Sequence, residues 1–163
     1  MINNSFAIFG KSGSGKTTFI NEILLPKFPE EKIFCIDYKE GIKGNVKRLF
    51  NISDVLDIAE NKKNSVFIFD DISGNLRKGN NLNIERLKNL LGVRRHDNNY
   101  YIFVYHSIFF FPQVLEYLID WFIFFETGEK KENILNYFTQ FNESEALAAS
   151  MKKDPFKYAA IKK

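Results

Sequence analysis

Five continuous apolar runs recur along the chain: SFAIF (5–9), KIFCID (32–37), SVFIFD (65–70), YYIFVYH (100–106) and WFIFF (121–125). None alternates polar with apolar residues, so each predicts a strand covered on both faces. Segments 16–25, 53–62, 83–91 and 113–118 read as helices between them. Ser53 or Asp54 is expected to cap the second, and Gly92 to end the third in the left-handed region. Strand and helix therefore alternate, which predicts an α/β fold with a mostly parallel central sheet and helices on both faces. Beyond Gly128 the pattern weakens. ENILNYF (132–138) and SEALAASMKK (144–153) read as short helices, and FKYAAIK (156–162) as a late strand.

Composition narrows this picture. A chain of 163 residues that is 45% hydrophobic suits one domain with a single core, spanning 1–163 with its centre at 5–125. The one cysteine, Cys35, lies inside IFCI and reads as a buried core thiol, as expected of a cytosolic or redox-indifferent protein. A net charge of +3 permits a nucleic-acid partner without arguing for one. MINNSFAIFG has no charged segment followed by a long apolar stretch, so no signal peptide is expected. Aromatic residues crowd into 100–125, but His106, Gln113, Glu116 and Asp120 interrupt that region and Pro112 splits it. A spanning helix needs about 20 largely uncharged residues. Two buried strands flanking a short helix fit better.

The strongest chemical signal follows the first run. Gly10-Lys11-Ser12-Gly13-Ser14-Gly15-Lys16-Thr17 satisfies G-x-x-x-x-G-K-[ST] in full, with Thr18 next in the helix it opens. The glycines allow a tight coil whose amides point at one centre. Lys16 is expected to reach the β- and γ-phosphates of a nucleoside triphosphate, and the Thr17 hydroxyl to bind Mg²⁺. SVFIFDD then ends a second strand in two acids. Asp70 is the metal candidate, and Asp71 the residue that positions or deprotonates an attacking water. Alternatively, Asp71 only caps the following turn. A second acid favours ATP hydrolysis over phosphate transfer to a bound acceptor.

Four stretches in fixed order, FGKSGSGKTT, IFCIDYKEG, VFIFDD and GVRRHDNNYYIFVYHSIFFFPQVL, resemble the FtsK/HerA superfamily of DNA-pumping ATPases. Within it they resemble the compact genome-packaging ATPases of membrane-containing icosahedral viruses and phages, with filamentous-phage assembly ATPases as near cousins. The resemblance covers most of 6–125. It implies a RecA-like ASCE P-loop core, with the sensor strand (100–106) between the P-loop strand and the Walker B strand. It also implies ATP and Mg²⁺ as cofactors, and homo-oligomeric rings, usually hexamers, that thread double-stranded DNA. Such motors work in the host cytoplasm or at the virion vertex, beside capsid or membrane proteins. Two departures stand out. His106, followed by Ser107, occupies the sensor place where Gln is usual, and Asp71 replaces the commoner Glu.

Other polar residues admit two readings each. Arg94 and Arg95, expected just after a helix end, are either an arginine finger for a neighbour's ATP or a solvated basic turn. Lys39, Lys43, Lys47, Arg48, Arg77 and Lys78 either face DNA or are ordinary solvated charge. Phe109, Phe110 and Phe111 form either a subunit contact or core. His96 and His106 lack partners at zinc-ligand spacing. Two competing functions remain at this level. A nucleotide kinase would need an arginine-rich lid, and 74–81 offers only Arg77. A nucleotide-gated assembly module with slow hydrolysis fits the departures at Asp71 and His106.

Overall fold

The computed structural model describes residues 5–28, 32–36, 41–72 and 81–163. In chain order these form β1 (Ser5–Phe9), α1 (Lys16–Phe19), β2 (Ile33–Ile36), β3 (Val46–Leu49), α2 (Ile52–Asn61), β4 (Val66–Asp70), α3 (Asn81–Asp97) and β5 (Tyr100–Tyr105). Two 3₁₀ turns, Ile108–Phe110 and Gln113–Leu118, lead to β6 (Trp121–Phe124). Then come α4 (Lys131–Tyr137), α5 (Glu143–Ser150) and β7 (Ala159–Lys162).

Among the described residues the seven strands form one sheet in the order β3-β2-β4-β5-β1-β6-β7. All pairs are parallel except the β6–β7 edge, which is antiparallel. The strand carrying the sensor position, β5, lies between β1 and β4, as the resemblance implies.

Successive side chains of a strand go to opposite faces, and this chain uses its two faces differently. Phe9, Phe67, Phe69, Tyr101, Phe103, Tyr105, Phe122 and Phe124 all lie on one. Ile8, Ile33, Cys35, Val66, Ile68, Ile102, Val104 and Ile123 lie on the other. Rings in register stack across strands, as in Phe34–Phe67–Tyr101 with centroids 5.4 Å apart at each step, and Phe69–Phe103 at 5.0 Å. Each such pair contributes about 0.5–1.5 kcal/mol beyond burial. The aromatic face is covered by α2, α3, α4 and α5, and the aliphatic face by the helix that follows the first strand, through Phe19, Ile20, Leu24 and Leu25. The high aromatic content is thus a property of one sheet face. No described helix is long and apolar enough to cross a membrane.

Four local expectations are corrected. Val46–Leu49 is a strand that the apolar pattern misses, because it is an edge strand with only half-buried apolar residues. The cap of α2 is Asn51, whose side chain accepts from the Ser53 amide at 3.0 Å; Ser53 and Asp54 already lie inside the helix. The helix at 16–25 is α only through Phe19. It continues as a π turn over Ile20–Leu24 and a 3₁₀ turn over Leu25–Lys27, where Pro26 removes a donor. Finally, α3 runs straight through Gly92 to Asp97. Its left-handed terminator is Asn98 (φ 53°), and the Asn99 amide closes the end on the Arg94 carbonyl at 3.0 Å. Arg94 and Arg95 therefore sit in the last turn of a helix and not after it.

Candidate nucleotide-binding site

The loop 10–15 leaves the end of β1, and its neighbours hold it open. The Gly10 amide donates to the Tyr105 carbonyl at 3.2 Å, and the Lys11 amide to the Glu126 carbonyl at 2.7 Å. Any side chain at residue 10 would collide with Ser14 Oγ (2.6 Å) and Phe125 Cβ (2.7 Å). Gly13 and Gly15 take φ of +77° and +107°, which only glycine adopts freely. The buried Ser14 hydroxyl inside this coil makes no hydrogen bond with any described residue.

Lys16 is buried, with its ammonium donating to the Gly10 carbonyl at 2.6 Å and the Lys11 carbonyl at 2.9 Å. Those bonds arch the long side chain back over the loop, so that it presents its charge to the centre of the coil. Ser12, Gly13, Gly15, Lys16, Thr17, Thr18, Asp70, Asp71, His106 and Phe156 line one cavity of about 380 Å³. The loop, the end of β4 and the end of β5 thus converge, at the carboxyl edge where parallel sheets bind ligands.

The two acids differ in backbone. Asp70 is the last residue of β4, paired in register with Val104. Asp71 turns into the left-handed region (φ 52°) and is held there by its amide donating to the Val104 carbonyl at 3.1 Å. Such backbone is uncommon for a non-glycine residue, though Asp tolerates it. Asp71 Oδ2 lies 3.5 Å from His106 Nε2, and His106 Nδ1 lies 3.5 Å from the Lys16 ammonium. A ring with its proton on Nε2 accepts from the Lys16 ammonium at Nδ1 and donates toward Asp71 at Nε2. His106 thereby links Lys16 with Asp71.

Mg²⁺ in nucleotide sites takes one or two carboxylates plus phosphate oxygens and water. The donor set formed by Thr17 and Asp70 on this cavity fits that requirement.

Glu126, which carried no sequence signal, braces the loop. Its carbonyl accepts from Lys11, its carboxylate accepts the Lys153 amide at 2.8 Å, and Lys11 Nζ stands 3.6 Å away. The Lys153 amide, then the Lys11 charge, holds this carboxyl below the usual range against the opposing effect of burial.

Arg94 and Arg95 stand at the other end of the sheet, where β1 and β6 begin. Arg94 is buried and makes a fork with both Asp120 oxygens at 3.0 Å, and a further bond to the Leu91 carbonyl. Asp120 also accepts from the Ser5 amide at 3.1 Å and hydroxyl at 2.7 Å. Burial pushes the Asp120 carboxyl up, but the Ser5 bond and the Arg94 charge outweigh it and hold the group below its ordinary value. Arg95 is exposed and gives one bond to Asp120 at 3.2 Å. Of the two, only Arg95 extends into solvent.

The remaining candidates separate cleanly. Phe111 is core, while Phe109 is exposed and packs edge-on against Tyr137 at 5.3 Å. Lys43 and Lys47 are exposed, and Arg48 bonds the Ile42 carbonyl. Lys39, Arg77 and Lys78 lie outside the described residues, as does the DYKE part (37–40) of the second resemblance segment.

No family model and no curated protein matches the chain. Among solved structures, it is similar to the genome packaging NTPase B204 from Sulfolobus turreted icosahedral virus 2 in complex with AMP, at 16% identity and a TM-score of 0.70, covering 98% of this chain and 92% of that one. The DNA-packaging ATPase B204 from Sulfolobus turreted icosahedral virus matches at 14% identity and a TM-score of 0.71, with the same coverage. This chain has their fold. ATPases 2 and 3 of EssC from Geobacillus thermodenitrificans share it more distantly, at 12% identity and a TM-score of 0.52; this chain spans 38% of that one.

Proposed function

We propose that this chain is an ATP hydrolase that drives double-stranded DNA into a preformed viral capsid. The observation that carries the reading is the convergence of Lys16, Asp70, Asp71 and His106 on a single cavity beside the glycine-rich loop. Lys16 neutralises the β- and γ-oxygens of ATP, and the amides of the cavity-lining residues 12, 13 and 15–18 wrap the phosphates. Thr17 and Asp70 would hold Mg²⁺, which would supply charge stabilisation for the transferred phosphoryl group. Asp71 orients the attacking water and takes its proton. His106, between Lys16 and Asp71, relays the state of the γ-phosphate toward β5. Each site is completed by Arg95 of a neighbouring subunit in a homo-oligomeric ring, a hexamer by resemblance, at the capsid vertex. The fold shared with two packaging NTPases supports the DNA half of this reading.

The test is the ATPase rate of the purified protein with and without double-stranded DNA, alongside its mass in solution. Stimulation by DNA in an oligomer is the expected result; a monomer indifferent to DNA refutes the motor. Lys16→Ala should abolish tight binding of the triphosphate or its turnover, since no other lysine or arginine lines the cavity among the described residues. Wild-type hydrolysis in that variant refutes the P-loop assignment.

Asp71→Asn separates hydrolysis from binding. Asn tolerates the left-handed backbone as well as Asp does, so the fold and ATP affinity should survive. Turnover should fall by about 10²–10⁴, the usual contribution of a positioned base. Undiminished turnover makes Asp71 a turn residue and favours the slow, nucleotide-gated assembly module.

A further inference from the structure

A second hollow, of about 160 Å³, continues from the phosphate cavity along the first helix. The two share Gly15, Thr18 and Phe156, and the second is also lined by Glu22, Phe125 and Tyr158. Phe156 comes from the segment between α5 and β7, far from the loop in sequence. Its amide donates to the Ser14 carbonyl at 3.2 Å, and its ring presses on residue 15, where a Cβ would come within 2.7 Å of it. Gly15 is thus required twice, by its own φ and by this ring.

Two features of Phe156 are costly unless a ligand uses them. The backbone is left-handed (φ 67°), a real outlier for a bulky residue. The side chain is 61% exposed, although it is wholly apolar. Both flanks are nevertheless fixed: the Lys153 amide is bound by Glu126, Tyr158 packs on Phe19 at 4.8 Å, and β7 is paired with β6. The chain therefore holds an exposed ring rigidly at the junction of the two hollows.

We infer that Phe156 is the base-stacking residue of the nucleotide site, and that the nucleoside half of the ligand lies in the second hollow against its ring. The inference rests on the triphosphate reading above. Thr18 and Phe156 line both hollows, so a ligand that starts in the cradle and continues into the second hollow passes this ring. Stacking accepts any base, because every base has a π-face. Phe156 therefore separates nucleotides from bare polyphosphates far better than it separates ATP from GTP.

The experiment measures affinities of ATP, GTP and inorganic tripolyphosphate for the wild type, Phe156→Gly and Phe156→Trp by titration calorimetry. Glycine suits the left-handed backbone, so that variant removes the ring without disturbing the turn. Phe156→Gly should bind ATP and GTP about tenfold or more weakly, within the range that one stacked base contributes. Its tripolyphosphate affinity should stay within about twofold, and Phe156→Trp should restore nucleotide binding. Unchanged or tighter ATP binding in Phe156→Gly overturns the inference and makes the ring a plug. An equal loss for all three ligands also overturns it. If the wild type binds tripolyphosphate as tightly as ATP, only the stacking role falls. If it binds none of the three, the triphosphate reading falls with it.

Discussion

Arg95→Ala is expected to keep the fold and the affinity for ATP while cutting hydrolysis by about 10³–10⁵, the range that a trans-supplied arginine contributes in other P-loop enzymes. The structure explains why the fold should survive. Arg95 is exposed and gives a single 3.2 Å bond to Asp120, which Arg94 already holds from three sides with Ser5. A single bond from an exposed arginine to a carboxylate that other donors already hold contributes about 1 kcal/mol at most. It also lies at the opposite end of the sheet from Lys16, so it cannot complete the site of its own chain. Mixing Arg95→Ala with Lys16→Ala subunits should restore part of the activity, because one supplies the cradle and the other the arginine. Steady-state ATPase assays on mixed and unmixed samples, over a range of protein concentration, decide the matter. Full activity in Arg95→Ala alone, or a rate per subunit independent of concentration in a monomer, returns this residue to an ordinary solvated charge.

Arg94→Ala should do the reverse and lower stability first. Removing one partner of a buried, hydrogen-bonded ion pair leaves the other charge stranded, at a cost of about 3–5 kcal/mol. For a domain of this size that corresponds to a fall in melting temperature of roughly 10 °C. Arg94→Lys should recover only part, because a single ammonium cannot reproduce the fork on both Asp120 oxygens. Denaturant melts of the two variants, read with ATPase activity per folded molecule, give the answer. A stable Arg94→Ala protein without hydrolysis would transfer the finger to Arg94. The buried cluster of Ser5, Arg94 and Asp120 would then need another explanation.

The elements that define the cavity beside the glycine-rich loop were legible because their signals are local. A strand that ends in Phe9, glycines at fixed spacing and a strand that ends in Asp70, with Asp71 next, require no knowledge of distant residues. Gly92 misled for the opposite reason. Glycine is common at helix ends, but α3 tolerates an exposed one and stops at Asn98, whose side chain also suits the left-handed region. The edge strand Val46–Leu49 escaped because its residues, half exposed, carry no continuous apolar run. Arg94 and Arg95 are neighbours of identical type, and no periodicity tells which one is buried against Asp120 and which extends into solvent. Glu126 and Phe156 were invisible for a similar reason: each acts on the loop through a contact formed only when the chain returns from far away.

The position of β1 has a consequence for how the molecule is made. This strand pairs only with β5 and β6, and its first residue bonds to a partner 115 residues further along. On the ribosome it waits, apolar and unpaired, until most of the domain has been synthesised. Contacts so distant in sequence slow folding and leave sticky surface uncovered meanwhile. The phosphate loop inherits that delay, since the bonds that shape it come from Tyr105 and Glu126. A nascent or truncated chain that ends before β6 carries the whole glycine-rich motif and yet has no shaped place for a triphosphate.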